Sequence, residues 1–496
     1  MSGRTTNLVL GLLLLAAVFG VSLLTFVDPD LYHCLTHARL LATADALPIR
    51  DAFAYTPTLP RVVHHEWLTG VVHHAVVDRF GGAGLLVLRL AVEGLLVAGA
   101  FGLACRRGAR LPVLLLVGPL ALGFMAPGLT LLRAQAWTLL FTVVLLWLLD
   151  YDGRGRRWWI PAYLALHLVW LNAHGGFVVG MALIGIHGAE QALSARPWRH
   201  LVPVLLAAAA LVLVNPHGLE YPRYLWEALR MDRGLIGEWR PLWDGPAIAV
   251  PVWALTLLVL GYGVRGAGAG HRAGWLMALV VALACLRHQR HVSIYGLVWI
   301  ASVAPMLQRA RLGVLVDAIW RTRPARLTPV LAAALLIALI ALVSDPPWRL
   351  RVPAAPCGSC PASPVVYPVG PVEYLRDAAF RGNAFVPFHA GAYVSWQQAP
   401  AIRVSIDGRW EAAYPPELLD EHVRFFDALD GWPAVRASYP PDVVIAERAQ
   451  PVVGAMVAEG QWPLVYQDDG WVVFARPGLA LQARDRRGET VTGRFP

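Results

Sequence analysis

The sequence predicts a mainly α-helical membrane protein that ends in a small α/β domain, and three observations carry that expectation. First, 57% of the 496 residues are apolar and only 15% are charged, against about 25% charged in an ordinary soluble domain. Second, apolar runs of helical length recur from residue 7 to residue 344, with short arginine-bearing loops between them. Third, past residue 344 this pattern gives way to a proline-rich stretch, and then to strand-like runs alternating with amphipathic ones. The net charge of +9 comes wholly from arginine, because the chain contains no lysine. Arginine clusters set between apolar runs read as membrane-topology signals and argue against a nucleic-acid partner. The lack of lysine also excludes Schiff-base chemistry. Five cysteines are too few for a disulfide scaffold; only Cys357 and Cys360, in PCGSCP, are spaced for a local bridge or half a metal site.

The apolar runs are read as eleven spans, at about 7–27, 83–104, 111–126, 128–149, 158–172, 175–193, 200–215, 249–264, 273–286, 291–308 and 328–344. Several fall short of the roughly 20 residues that cross a bilayer. Arg4, Arg106, Arg107, Arg110, Arg154, Arg156, Arg157, Arg196, Arg199, Arg265, Arg272 and the arginines of 309–326 then all lie on one side. By the positive-inside rule that side is cytoplasmic, which places the N-terminus inside and everything after residue 344 outside the plasma (inner) membrane. Residues 7–27 lack a small-residue cleavage site, so they read as an anchor helix and not as a removed signal peptide. The stretch HHEWLTGVVHHAVVDRF, 64–80, is expected to lie as an amphipathic helix in the outer interface. Counting it as a span would invert every later arginine loop. The first outer loop therefore covers 28–82, inside a membrane domain of 1–344. A linker, 345–368, precedes an outer α/β domain, 369–496. In that domain AFVPF, AIRVSI, DVVIAE, PLVYQ and WVVFA read as strands, and QDDG as a hairpin turn. A reporter fused after Asp345 is expected to be active only outside the cytoplasm, and one fused at Gly153 only inside; swapped signals would overturn this topology.

The unusual polar residues then share one face. Asp28, Asp30, His33, His37, Glu66, Arg133, Gln135, Asn172, His174, Asn215, His217, Glu238, Arg287, His288, Arg290 and His291 all fall at outer helix ends or in outer loops. In VDPDLYHCLTHARLL, Asp28 is a plausible N-cap with Pro29 at the first helical position. Asp30, His33 and His37 follow at i, i+3 and i+7, so one helix face carries a carboxylate and two imidazoles. That arrangement suits a general base or a divalent-metal site, with Mg or Mn as the cation. The plain alternative is that Asp28 only caps and the histidines face headgroups. HEWLTGVVH has the wrong histidine spacing for a zinc protease. LNAHGGF and NPHG add His174 and His217 at outer turns. Arg133, Arg287 and Arg290 sit near outer helix ends, where arginine suits a phosphate.

These motifs resemble a known family. The acidic opening of the first outer loop, the interfacial helices, about eleven spans and the outer C-terminal domain resemble the GT-C superfamily of membrane glycosyltransferases. DPDLYH, PIRDAFAYT, HHEWL, LNAHGGF, NPHGLEY, IGEW, RHQRH and SIDGRWEAAYP resemble a group of uncharacterised bacterial multi-spanning proteins within it. The resemblance implies a polyprenyl-phosphate-linked sugar donor and a glycan, lipid or protein acceptor at the outer face. Asp30, Asp28 or Glu66 would supply the catalytic carboxylate. Arg133, Arg287, Arg290, His174 and His217 would hold the donor phosphate, and Asp30, His33 and His37 a divalent metal. The alternatives are a non-catalytic protein of this fold that binds or assembles envelope glycans, and a transporter.

Overall fold

The computed structural model describes residues 26–43, 48, 50–129, 132–231, 233–234, 236–322, 350–356 and 365–496. Residues 7–25 of the expected first span, the expected span 328–344, and the pair Cys357 and Cys360 lie outside the described residues. The described chain falls into two compact units, one drawn from 86–215 and 230–322, the other from 26–85, 216–229 and 350–496.

The first unit is helical. Trp67–Arg106, which belongs to this unit from residue 86 on, Leu111–Leu129, Gln135–Gly153, Ala249–Gly266 and the Gln289–Arg309 stretch are long and apolar enough to cross a membrane. Phe177–Leu193, Leu201–Leu211 and Trp275–Arg287 are shorter apolar helices, and Trp159–Ala173 is a fourth short one. They coincide with nine of the expected apolar runs. At the centre is Val292–Arg309, in which every residue from Val292 to Leu307 is buried. A helix apolar all round belongs inside a bundle, and small residues let its neighbours close in. A Cβ on Gly296, for example, would stand 2.7 Å from the Ala121 carbonyl oxygen.

The arginine loops hold more chemistry than the sequence suggested. Asp150 accepts hydrogen bonds from Arg106, Arg107 and Arg154. Asp152, 1% exposed at its side chain, lies within hydrogen-bonding distance of Arg157, Trp159, His187 and His200. Two carboxylates thus gather cations that read as separate topology signals.

The Trp67–Arg106 helix is broken at Gly81, whose φ of 61° and ψ of −157° no helix tolerates. The break separates an approach segment, 67–80, from the apolar run that follows, which is where the sequence placed the end of its first loop. Glycine is the residue that takes this backbone without strain.

The second unit is built around a six-stranded sheet in the order β2-β1-β3-β5-β4-β6. Its strands are β1 Gly382–Phe385, β2 Ile402–Val404, β3 Val443–Glu447, β4 Leu464–Gln467, β5 Trp471–Ala475 and β6 Arg484–Asp485. β2, β1 and β3 run parallel, and β5 pairs antiparallel with both β3 and β4. β4 and β5 form the hairpin expected around QDDG. Phe385, Phe425, Val444, Val452, Met456 and Phe474 belong to one buried core cluster. The helix Phe388–Gln398 and the strand β6 were not foreseen.

The first loop folds into this same unit. Val404 in β2 donates its N–H to the Phe53 carbonyl, and Tyr55 donates its N–H back to the Val404 carbonyl. Thr56 Oγ donates to the Ser405 carbonyl, and Tyr367 Oη to that of Val27. Residues 53–56 therefore cover the open edge of β2, where unpaired backbone groups would otherwise be exposed.

Candidate functional site

The Pro29–Thr43 helix begins where the sequence placed it. Asp28 Oδ1 accepts the backbone N–H of Asp30 at 3.0 Å, as a capping carboxylate does. Leu31, Tyr32, Cys34 and Leu35 are buried, which leaves the Asp30 and His33 side chains on a neighbouring face. The helix is approached closely by 67–80, because a Cβ on Gly70 would stand 2.7 Å from the Cys34 carbonyl oxygen. That approach brings Glu66, just before the second helix, against the first. Gly70→Ala is expected to cost about 1–3 kcal/mol through overpacking, read as a lower unfolding temperature; an unchanged temperature would show that the two helices can move apart freely.

The result is a compact cluster. His33 Nδ1 lies 3.9 Å from Asp30 Oδ1, and its Nε2 lies 3.7 Å from Glu66 Oε2. Cys34 Sγ donates to the same Glu66 oxygen at 3.4 Å, and His65 Nε2 lies 3.5 Å from the other. Burial opposes a charge on His33, but the Glu66 hydrogen bond and the fields of Asp30, Glu66 and Asp407 outweigh it and raise its pKa above the usual imidazole value. For Cys34, burial leads, with Glu66 and Asp30 adding to it, and pushes the thiol well up. Gly408 covers the cluster, since a Cβ there would meet Asp30 Oδ1 and His33 Nδ1 at 3.4 Å each.

His37 behaves differently from His33. Its ring stacks on His64 with centroids 3.3 Å apart. Burial, then the charge of Arg409, presses His37 down to about 3, and burial, then His37 and Arg409, drives His64 well below its usual value. Both shifts favour the neutral form, which spares the stacked rings the repulsion of two charges. Among the described residues, the set Asp30, His33 and His37 is thus not the one that gathers. His33, Cys34 and Glu66 are, with one ligand atom from each lying within 4.8 Å of the others. A thiol, an imidazole and a carboxylate at that spacing fit a cation in kind and number. Cys34 was not foreseen, because a lone cysteine on a helix has no spacing signature.

Two further groups frame the cluster. Arg409 forks onto Asp407, with Nε 2.9 Å from Oδ1 and Nη2 2.6 Å from Oδ2, and its Nη1 donates to Asp51 at 2.5 Å. All three side chains are at most 3% exposed. Burial favours a neutral Asp407, yet Arg409 overrides it and holds the carboxyl below its ordinary value. SIDGRW thus forms an internal ion pair, with a third member, Asp51, from PIRDAFAYT. From the other side, His217 Nε2 lies 3.4 Å from the His64 carbonyl and Tyr224 Oη lies 3.1 Å from His65 Nδ1.

In the first unit, Arg133 Nη1 lies 3.1 Å from Glu238 Oε2 and Arg290 Nη1 lies 3.9 Å from Glu238 Oε1. Two of the three arginines expected to bind phosphate thus share one carboxylate. Trp239 lies between cations, with Arg233 at 4.3 Å and Arg290 at 4.2 Å from its ring. Arg287 ends the Trp275–Arg287 helix. His174 is buried, with Nδ1 2.7 Å from Thr138 Oγ and accepting the Gly176 N–H.

No protein-family model matches the chain, and no curated protein matches its sequence. Its fold is similar to those of solved glycosyltransferases of the GT-C type. The structure of the Archaeoglobus fulgidus oligosaccharyltransferase AglB in complex with an inhibitory peptide and a dolichol-phosphate superposes with a TM-score of 0.57 at 11% identity, covering 89% of this chain and 69% of that one. ArnT from Cupriavidus metallidurans, bound to undecaprenyl phosphate, gives 0.50 at 14%, over 98% of this chain and 100% of that one. The mycobacterial arabinofuranosyltransferase AftD gives 0.54 at 16%, over 99% of this chain and 40% of that one.

Proposed function

We propose that the protein is a membrane glycosyltransferase that moves a sugar from a polyprenyl-phosphate-linked donor to an acceptor hydroxyl or amide on the extracytoplasmic face. The observation that carries this reading is the Asp30–His33–Glu66 cluster in the first loop of a GT-C-type fold. Dolichol-phosphate and undecaprenyl phosphate accompany two of the similar structures, which supports a lipid phosphate as the donor's carrier.

Asp30 is the proposed base. Its side chain is 35% exposed, twice as open as that of Glu66 at 17%, so it can meet an acceptor. Burial opposes a charge on His33, but Glu66 and Asp30 raise its pKa, and the more readily it takes a proton the more it favours the ionised form of the carboxylate beside it. The carboxylate takes the acceptor proton as the nucleophile attacks the anomeric carbon, and the bond to phosphate breaks. Inversion at the sugar follows from one displacement. Arg133 and Arg290 are the proposed phosphate ligands, because both already bind the carboxylate of Glu238, and the polyprenyl phosphate that leaves the sugar offers the same guanidinium geometry with more charge than the phosphodiester it comes from. Should the cluster hold a divalent cation, His33, Cys34 and Glu66 are the residues that would ligate it, and the cation would supply positive charge at the acceptor.

The test is transfer by the purified full-length chain in lipid nanodiscs, supplied with a radiolabelled polyprenyl-phosphate sugar and membrane-extracted acceptors. Label moving to an acceptor supports the reading. Donor that binds tightly without turnover would favour a glycan-binding role, and neither binding nor transfer would end the proposal.

A further inference from the structure

The donor set around Glu66 differs in kind from the oxygen-rich set that Mg or Mn would take. We infer that His33, Cys34 and Glu66 form a binding site for a borderline transition-metal cation, of which Zn²⁺ is the common example. The inference does not depend on glycosyl transfer, and it is read on the purified chain without any substrate.

Three features support it. The first is chemical: thiolate and imidazole select zinc-like ions, whereas Mg²⁺ and Mn²⁺ prefer carboxylate, carbonyl and water. The second is geometric. Zinc bonds of about 2.0–2.3 Å at tetrahedral angles put neighbouring ligand atoms roughly 3.3–3.6 Å apart. Here Cys34 Sγ and His33 Nε2 stand 3.4 Å and 3.7 Å from Glu66 Oε2, and all the ligand atoms lie within 4.8 Å of one another. Closing the set needs shifts of side chains, not of helices. The third is the outer partner of His33. With Nε2 turned to the cluster, Nδ1 faces Asp30 at 3.9 Å, and this buried nitrogen makes no hydrogen bond among the described residues. Metal-bound histidines usually give their other N–H to a carboxylate, which fixes the tautomer and orients the ring. Asp30 is placed to serve that way.

The backbone supports the same arrangement. His33 and Cys34 are consecutive on one helix, and Glu66 reaches them only because Gly70 allows the second helix to within 2.7 Å, measured from a Cβ that is not there to the Cys34 carbonyl. Three protein ligands leave a fourth tetrahedral position for water or a substrate oxygen.

The experiment uses the full chain in detergent, stripped with chelator and then titrated with Zn²⁺ or Co²⁺ under excess Mg²⁺. One equivalent of metal should be retained per chain, and the cobalt form should show a near-ultraviolet thiolate-to-cobalt charge-transfer band. Cys34→Ser should lose that band, whereas Cys357→Ser/Cys360→Ser should keep it. Asp30→Asn should keep the band and weaken binding by about 10–100-fold, as loss of an outer-shell partner does. Zn²⁺ should also raise the unfolding temperature of the wild type but not of Glu66→Gln, a readout that holds even if Cys34→Ser fails to fold. A band that survives Cys34→Ser, displacement by Mg²⁺, or no bound metal in the wild type would each overturn the inference.

Discussion

Replacing Asp30 by asparagine is expected to leave expression and folding intact and to lower transfer from a lipid-linked donor by about 10²–10⁴, the usual cost of a lost general base. Asp28→Asn should be far milder. Asp28 Oδ1 accepts the Asp30 backbone N–H, a role that an asparagine oxygen fills nearly as well. An asparagine at position 30 keeps the size of the side chain and a hydrogen-bonding oxygen and removes only the negative charge, so the variant tests that charge. Initial rates of transfer for the two variants decide the matter. If Asp28→Asn is the dead enzyme and Asp30→Asn is active, the roles are exchanged. If neither variant changes the rate, the first-loop carboxylates are not the base. The prediction also separates from metal binding, because Asp30→Asn should keep the cobalt charge-transfer band while losing turnover.

Arg409→Gln is expected to be the most damaging single change in the second unit, at about 3–5 kcal/mol, since it leaves two buried carboxylates without their cation. Asp407 and Asp51 are 2% and 1% exposed at their side chains, so water cannot replace the guanidinium. A fall in the unfolding temperature of the sheet-containing unit is the measurement; a wild-type temperature would mean that the triad is dispensable. The same triad sets an acid limit. The folded carboxyl of Asp407 is held below its ordinary value by Arg409, so the unfolded chain takes up its proton first as pH falls. Its contribution is complete above the ordinary carboxylate pKa of about 4 and is lost as pH drops through the depressed folded value. In Arg409→Gln that part of the acid dependence should vanish.

The parts of this architecture that repeat locally were readable in the sequence. An apolar run reports its own burial, so the helices coincide with the runs, and the capping aspartate and the QDDG hairpin follow from a few adjacent residues. The break at Gly81 was implied by the arginine loops beyond it. What was not readable joins residues far apart. Nothing near Asp51 points to Arg409, 358 positions away, and nothing near Arg133 points to Glu238. His37 shares the helical face of His33 by periodicity, yet it pairs with His64, because periodicity gives a direction and not the neighbour found there. Cys34 lies one residue off the counted face, and helix 67–80 brings Glu66 to it.

The separation of Asp51 from Arg409 also has a temporal meaning. Translation adds about 5–20 residues each second, so the first loop, once made, waits roughly 20–70 s before its partner leaves the ribosome. During that interval Asp51, the stacked histidines and the covered edge of β2 have no sheet to fold against, because the sheet is still messenger. Nascent chains therefore carry a loop rich in histidine and aromatic residues well before it can be stable. This unit cannot be completed until its late strands are made, even though it contains the first of the described segments. A chaperone or protease that samples the exposed loop has that window in which to act, and synthesis that stops short of β2 leaves a membrane protein whose first loop stays permanently open to it.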